Sequence, residues 1–147
     1  MPRNTSTGRD AEANIKLALE RGEYNYTSQK RIPNIRPNGK DYLIDYLAIK
    51  DNRKIGVEVK WQQTSGTAEE KIPYSLICLL ILVNQNIINK AYLVLGGSDK
   101  DSERGRAGWT LRQYYLSGGL KEFIDYEGKV DILTIEEFQA DANQSNL

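Results

Sequence analysis

Three charged side chains lie on two neighbouring segments that the sequence predicts to be strands. Asp45 is the only charged residue in the run YLIDYLAI at 42–49, and Glu58 and Lys60 lie in the alternating segment 54–62. A carboxylate in a mostly buried strand is costly unless a positive charge compensates it. Two carboxylates with a neighbouring lysine suit chemistry that depends on a hard divalent cation bound through oxygen.

A turn at Asp51 and Asn52 predicts how these two strands pair. With a two-residue turn there, paired positions sum to 103, so Asp45 lies directly opposite Glu58 with the Cβ atoms ~5 Å apart. Lys60 then points into the same space, and a bound cation turns the repulsion between the carboxylates into a binding site. Two alternatives stay open. One is a buried Asp45–Lys60 ion pair with Glu58 at the rim, and the other is a one-residue slip that moves Asp45 to the opposite face.

The composition excludes several other kinds of site. The 147 residues include no histidine and one cysteine, Cys78, which lies in the apolar run 76–83 and is expected to pack in the core. Histidine-dependent nucleophiles, imidazole metal ligands, disulfide frameworks and thiolate metal clusters are therefore excluded. Catalysis would depend on carboxylates, lysines, hydroxyls or a cation held by oxygen.

Length and hydropathy give the expected organisation and compartment. A chain of this length fits one domain, expected to span residues 1–147. The polar N-terminus lacks a secretory signal, and the longest apolar run is too short to span a bilayer. We therefore expect a cytoplasmic protein with no membrane partner.

The overall charge is balanced, but its distribution along the chain is uneven. Residues 1–60 hold 12 basic and 8 acidic side chains, whereas residues 121–147 hold 2 and 7. Segment 24–40 has no acid, and its basic residues are interleaved with tyrosines and amides, which suits contacts with phosphates and base edges. The candidate DNA-binding residues there are Lys30, Arg31, Arg36 and Lys40. The alternative is a solvated loop between a helix and a strand.

Hydrophobic periodicity and turn signals predict an α/β fold. The elements follow the order α-β-β-α-β-α-β, which indicates a mixed central sheet flanked by helices. The predicted helices cover 9–21, 73–84 and 109–117, and the strands cover 42–49, 54–62, 91–95 and 130–135, with a short terminal helix opening at IEEFQ.

The spacing of the charged residues resembles a known family. Asp45, twelve intervening residues and then Glu58-Val59-Lys60 resemble the motif of the PD-(D/E)XK nuclease superfamily, also called restriction-endonuclease-like. Gln62 extends the motif to ExKxQ, and SGTAEEKIPY followed by an apolar helix and AYLVLGG is also similar to such nucleases. The resemblance covers roughly residues 9–97. Ile44 stands where the family name has proline.

The resemblance implies metal-dependent hydrolysis of DNA phosphodiester bonds on a restriction-endonuclease-like core. Asp45 and Glu58 would be Mg²⁺ ligands, with the Val59 carbonyl as a third ligand and Mn²⁺ as a possible substitute. Lys60 would orient or help deprotonate the attacking water and stabilise the charge that develops on phosphorus.

The same resemblance suggests additional site residues. Glu12 on the first helix would add a contact to the metal or its ligands, and Glu20 is the other candidate, against a solvated face or a contact with the helix dipole. Gln62 and Lys71 would contact the phosphate backbone, although a surface position suits Lys71 equally. The loop 100–106, Trp109 and Arg112 would also reach DNA, unless Trp109 anchors its helix in the core.

These features predict a Mg²⁺-dependent endonuclease, most consistent with a site-specific homing or restriction-type enzyme. Because one site cuts one strand, a homodimer or a higher homo-oligomer is expected. A Holliday-junction resolvase is the nearest alternative. A non-catalytic DNA-binding module on the same fold, and an unrelated α/β domain in which Asp45 and Lys60 form a structural pair, are the others.

Overall fold

The computed structural model of the chain describes residues 4–62, 69–99 and 108–147, with side chains from Asp10 onward. The strands are β1 (Asn25–Ile32), β2 (Tyr42–Lys50), β3 (Arg53–Gln62), β4 (Lys90–Gly97) and β5 (Val130–Thr134). The α-helices are α1 (Asn4–Arg21), α2 (Ile72–Asn84), α3 (Arg112–Leu116) and α4 (Ile135–Asn143), and short 3₁₀ turns cover Glu69–Lys71 and Gly119–Glu122. Within the described residues, no helix combines the length and the apolar character needed to cross a membrane.

The strands form one mixed sheet in the order β1-β2-β3-β4-β5. The first three strands are antiparallel, and β4 and β5 continue parallel to β3. The connection from β3 to β4 passes through α2, as a crossover between parallel strands requires. This architecture confirms the predicted α/β class with a mixed sheet and flanking helices.

One strand of the sheet was not predicted. Residues 25–32 form β1, an edge strand, where the sequence left open a solvated loop. Nearly every side chain of β1 is at least partly exposed, so the strand lacks the apolar alternation that marks β2 and β3. The third predicted helix is also shorter than expected, because α3 covers only Arg112–Leu116.

The sheet has a hydrophobic core on each face. On one face α2, which is apolar nearly all round, packs on β3 and β4 and buries Cys78, as predicted. On the other face α1 and α4 cover the sheet, and α1 contributes the residues that the helical spacing predicted. Those residues are Ala11, Ile15, Ala18 and Leu19.

The side chains of β2 do not alternate regularly between the two faces of the sheet. Strict alternation would direct Tyr42, Ile44, Tyr46 and Ala48 to the same face of the sheet. Instead, Tyr42 and Ile44 pack in the core beneath α2, whereas Tyr46 and Ala48 pack in the core beneath α1 and α4. The change takes place at Asp45, which lies between the two pairs.

A matching irregularity lies beside it in β1. The pairing with β2 passes from Ser28–Tyr46 to Lys30–Ile44, and the intervening Gln29 has a φ of 54°. This left-handed conformation costs a residue other than glycine about 1–2 kcal/mol. Two adjacent strands are therefore irregular at the same level, next to Asp45.

Candidate active site

The β2–β3 hairpin has the register that the turn predicts. Its ladder runs from the pair Lys50–Arg53 to the pair Tyr46–Val57. Both turn residues have positive φ values, 53° and 65°, which suit a tight two-residue hairpin turn. The one-residue slip is therefore excluded. Asp45, the residue before Tyr46, lies just beyond the last pair of the ladder.

Beyond that last pair, side chains rather than backbone pairs connect the strands. The Val59 N–H donates to Asp45 Oδ2 at 2.8 Å, and the Asp45 N–H donates to Glu58 Oε1 at 3.4 Å. From the other side, Gln29 Nε2 donates to Asp45 Oδ1 at 3.3 Å. The Asp45 carboxylate is thus held from both neighbouring strands, and it lies next to Glu58.

Lys60 pairs with Glu58 rather than with Asp45. Both residues lie on the α2 face of β3, and Lys60 Nζ is 3.0 Å from Glu58 Oε2. Glu58 is only 5% exposed, so it does not lie at the rim. The structure therefore differs from the alternative of an Asp45–Lys60 pair. The Lys60 ammonium still acts on Asp45 and partly offsets the rise of its pKa.

The two carboxyl groups have pKa values above the ordinary range. Burial is the main cause for each, and the charge of Asp45 raises the pKa of Glu58 further. The Val59 N–H and the Lys60 ammonium oppose this effect without cancelling it. Two partly desolvated carboxylates side by side disfavour full ionisation, and a bound divalent cation would reverse that preference.

The donor set fits a magnesium-like cation. Within the described parts of the chain, no point gathers three or more acidic, histidine or cysteine side chains. Mg²⁺ is usually held by one or two carboxylates, while waters and substrate phosphates complete its octahedron. Asp45 and Glu58, with the Val59 carbonyl, match that smaller set.

An open cleft of about 500 Å³ adjoins Glu58 and Lys60. Three of the predicted DNA-binding residues line it, namely Arg31, Arg36 and Lys71. The Arg31 guanidinium is largely exposed, and Arg36 donates to the Tyr74 hydroxyl at 3.1 Å. The remaining two predicted basic residues, Lys30 and Lys40, are exposed but do not line this cleft.

The structure distinguishes the two candidate acids of α1. Glu12 is exposed, and its charge is one of the smaller causes that raise the pKa of Asp45. Glu20 instead accepts a hydrogen bond of 2.9 Å from the Tyr26 hydroxyl of β1. Glu12 is therefore the better candidate for a supporting role.

Gln62 is bound to backbone groups at the end of β3. Its side chain is buried, Nε2 donates to the Gly108 carbonyl at 3.0 Å, and Oε1 accepts from the Glu69 N–H at 3.1 Å. Both ends of the amide are thus bound to backbone, because three segments converge at the end of β3. A phosphate contact would require these bonds to break.

The segment around α3 is anchored in the core. Trp109 is 1% exposed, and its Nε1 donates to the Gly96 carbonyl at 2.6 Å. Arg112 binds Asp99 through two hydrogen bonds of 2.9 and 3.2 Å. These contacts confirm the core-anchor alternative for Trp109, while the predicted loop 100–106 falls outside the described residues.

Sequence reasoning missed Glu69 as a structural anchor. Its carboxylate accepts hydrogen bonds from the Thr110 N–H, the Thr110 hydroxyl and the Leu111 N–H at 2.6–3.0 Å. Burial pushes the pKa of Glu69 up, yet these bonds hold it below the ordinary value. The partners are more than 40 positions away along the chain, so no local signal marks this contact.

Comparison with known proteins identifies a family for the chain. A family model described as a PD-(D/E)XK nuclease superfamily domain matches residues 4–145. No curated protein sequence matches the chain.

Two solved structures are similar in fold. One is the crystal structure of a protein of unknown function, AF1548, with 11% identity and a TM-score of 0.45 over 84% of this chain and 57% of that one. The other is the small subunit (R.BspD6I2) of the heterodimeric restriction endonuclease R.BspD6I, with 18% identity and a TM-score of 0.43 over 91% of this chain and 66% of that one. The chain thus spans less than two thirds of either neighbour. Because the family model matches residues 4–145, nearly the whole chain, the chain belongs to the PD-(D/E)XK nuclease superfamily.

Proposed function

We propose that the chain is a divalent-metal-dependent DNA endonuclease that hydrolyses phosphodiester bonds. The observation that carries the proposal is the Asp45–Glu58 pair with Lys60 beside it, next to a cleft lined by cations. Asp45, Glu58 and the Val59 carbonyl would hold Mg²⁺, or Mn²⁺ in its place. When bound, such a cation acts as a Lewis acid and lowers the pKa of a coordinated water.

The chain's own residues supply the remaining chemistry. Lys60 is partly exposed at the cleft, so its ammonium can turn from Glu58 to a substrate phosphate. There it orients the attacking water and offsets the negative charge that develops on phosphorus. Glu12, whose charge raises the pKa of Asp45, would support the metal ligands from α1.

The cleft walls suit a nucleic-acid backbone. Arg31 and Arg36 present guanidinium groups, which bind phosphate oxygens in a fork geometry, and Lys71 adds a point charge. No acid besides Glu58 and Asp41 lines this cleft among the described residues. We therefore assign DNA phosphates to this cleft and favour a site-specific enzyme of the restriction or homing type.

A second copy of the chain is part of the proposal. One chain with one site cuts one strand, so double-strand cleavage requires two sites related by symmetry. We therefore expect a homodimer on DNA, which light scattering of the protein with and without a target duplex would detect.

The test is cleavage of a supercoiled plasmid and of a synthetic four-way junction in Mg²⁺. Wild type should cut the plasmid, while Lys60→Ala and Asp45→Asn should lose cleavage. Lys90→Ala is the matched control, because its ammonium pairs with Asp131 at 3.3 Å, away from the cleft, and it should cut like wild type.

The outcomes separate the alternatives. Discrete plasmid fragments would support a site-specific enzyme, whereas cutting of the junction alone would indicate a resolvase. DNA binding without cleavage of either substrate, measured in Ca²⁺, would replace the proposal with a non-catalytic binding module. A chain that neither binds nor cuts DNA would overturn the proposal.

A further inference from the structure

A tyrosine of α2 holds an arginine of the β1–β2 loop at the wall of the cleft. Arg36 Nε donates to the Tyr74 hydroxyl at 3.1 Å, and the guanidinium lies over the Tyr74 ring with its Cζ 5.4 Å from the ring centroid. Tyr74 lies in the first turn of α2 and is 38% exposed, and both residues line the cleft that adjoins Glu58 and Lys60. Because the partners are 38 positions apart along the chain, the contact joins two elements that the fold brings together.

The backbone of the loop fixes the point from which the Arg36 side chain extends. The preceding residue, Ile35, is 5% exposed and packs in the core beneath α2. The Arg36 N–H donates to the Lys40 carbonyl at 3.0 Å, and the Arg36 carbonyl accepts from the Gly39 N–H at 2.7 Å. The main chain at Arg36 is therefore anchored, and Tyr74 sets the direction of the side chain beyond it.

The contact holds the guanidinium without neutralising its charge. Nε is bound to Tyr74, and within the described parts of the chain the Nη1 and Nη2 atoms have no hydrogen bond or ion pair. By contrast, Arg31 at the same cleft pairs with Asp41 at 3.7 Å, which offsets part of its charge. A phenol hydroxyl is uncharged, and the face of an aromatic ring attracts a cation. Arg36 thus offers a full positive charge and two donor nitrogens to a ligand in the cleft.

The chemistry of these donors indicates the ligand. Two neighbouring N–H groups of a guanidinium match two oxygens of one phosphate, and such bidentate pairs are stronger and more directional than a contact with a point charge. A side chain that is already held in place also loses less conformational entropy on binding. The arrangement therefore suits a phosphodiester, which presents two non-bridging oxygens to the guanidinium.

We propose that Tyr74 is a positioning residue that directs Nη1 and Nη2 of Arg36 to a backbone phosphate of bound DNA. The identity of the ligand rests on the proposed function, whereas the contact between Tyr74 and Arg36 does not. The Tyr74 hydroxyl accepts from Nε, the ring supports the guanidinium, and the phosphate binds at the Nη atoms. The affinity for DNA then depends on Tyr74 through Arg36.

The first experiment tests the contact in the free protein. In ¹H–¹⁵N spectra, the hydrogen-bonded Nε–H of Arg36 should give a resolved, slowly exchanging signal, which Arg36→Lys identifies because lysine lacks that group. Tyr74→Phe keeps the ring but removes the acceptor, so the signal should shift and exchange faster with water. Tyr114→Phe is the matched control and should leave the signal unchanged. Tyr114 is also exposed, but it lies outside this cleft and its hydroxyl donates to the Gly119 carbonyl at 3.1 Å.

The second experiment measures binding of a fluorescent DNA duplex in Ca²⁺ by anisotropy. Tyr74→Phe should weaken binding about three- to tenfold, the range expected when one long side chain must be ordered on binding. Arg36→Lys should weaken binding at least as much, because lysine keeps the charge but loses the bidentate geometry. In the double variant, Tyr74→Phe should add no further loss, because its effect passes through Arg36. Tyr114→Phe should bind like wild type.

The salt dependence of binding separates positioning from loss of charge. The slope of log affinity against log salt concentration should be the same for Tyr74→Phe as for wild type, because every cation is still present. Arg36→Ala removes one phosphate contact, so its slope should be shallower by about 0.9.

An unchanged Nε–H signal in Tyr74→Phe would overturn the proposal. So would wild-type affinity in that variant, or an equal loss from Tyr74→Phe with arginine and with lysine at position 36, and each of these results would leave the proposed function standing. If wild type does not bind the duplex, the proposed function fails and the DNA ligand with it, and the spectra still decide whether Tyr74 holds Arg36.

Discussion

The two ends of the β2–β3 hairpin are built in different ways. At the turn end the ladder is complete, and Ile55 and Val57 are fully buried beneath α1 and α4. At the other end the ladder stops after Tyr46–Val57, and hydrogen bonds to the side chains of Asp45 and Glu58 connect the two strands instead. The turn end is closely packed, while the other end holds two carboxylates. Burial raises the pKa of both, and the charge of Asp45 raises the pKa of Glu58 further.

The turn end therefore contributes to stability through packing, and the other end holds the groups proposed to carry the chemistry. Groups with perturbed pKa values and strained backbone are characteristic of functional sites, because a functional geometry is held against local preference by the surrounding structure. We therefore expect substitutions at the two ends to have opposite effects on stability and on cleavage.

The largest effect on activity should come from Glu58→Gln. The change removes a proposed metal ligand, so cleavage should fall by about 100-fold or more, beyond the typical loss for a residue that only supports a ligand. The urea midpoint should stay constant or rise, because two neighbouring buried carboxylates become one. A marked loss of stability without loss of cleavage would reverse the proposed roles of the two ends.

Ile55→Ala should have the opposite pattern. Ile55 is fully buried at the turn end, so the cavity should lower the free energy of unfolding by about 2–5 kcal/mol. Cleavage by the folded protein, assayed well below its melting temperature, should match wild type. The milder Ile55→Val should cost about 0.5–1.5 kcal/mol and confirm that packing is responsible.

Substitutions of Gln29, which lies in the neighbouring strand β1, test the irregular end of the hairpin. Gln29→Ala and Gln29→Gly both remove the hydrogen bond to Asp45 Oδ1, so each should reduce cleavage by about tenfold. Because Gln29 has a positive φ, the glycine variant should be more stable than the alanine variant by about 1–2 kcal/mol in urea unfolding. Equal stability of the two variants would show that the backbone relaxes when the side chain is removed.

A smaller effect is expected at Glu69, which ties the region beyond the end of β3 to the segment before α3. Hydrogen bonds hold the folded-state pKa of Glu69 below the unfolded value despite burial. Its contribution to stability is therefore present above the unfolded pKa, about 4.3, and is lost as the pH falls through the folded pKa. Urea midpoints measured between about pH 5 and pH 3 should fall less steeply for Glu69→Gln than for wild type. Glu70→Gln, at the exposed neighbouring position, should follow wild type.

The regular end of the hairpin could be predicted from the sequence. The turn residues and the alternation of β3 determine the register from Lys50–Arg53 to Tyr46–Val57, and that register brings Asp45 next to Glu58. The helical spacing in α1 and the apolar character of α2 also predicted which side chains are buried. These features depend on neighbours that are close in sequence.

The irregular end could not be predicted in the same way. Strand β1 is polar and exposed, so nothing in its sequence marks the distortion at Gln29. The change of facing in β2 breaks the alternation on which strand prediction depends. The burial of Gln62 results from contacts with Gly108 and Glu69, of which Gly108 is 46 positions away. Such contacts follow from the assembled fold rather than from local pattern.

The most direct test of the central claim is calorimetric titration of Mn²⁺ into wild type and Asp45→Asn, with Asp131→Asn as the control at the opposite side of the sheet. Asp131 is an acid that pairs with Lys90 and lies outside the site. If Asp45 and Glu58 form a cation site, wild type and Asp131→Asn should bind with equal affinity, and Asp45→Asn should bind at least about tenfold more weakly. Equal affinity for all three proteins, or no binding by wild type, would contradict the account.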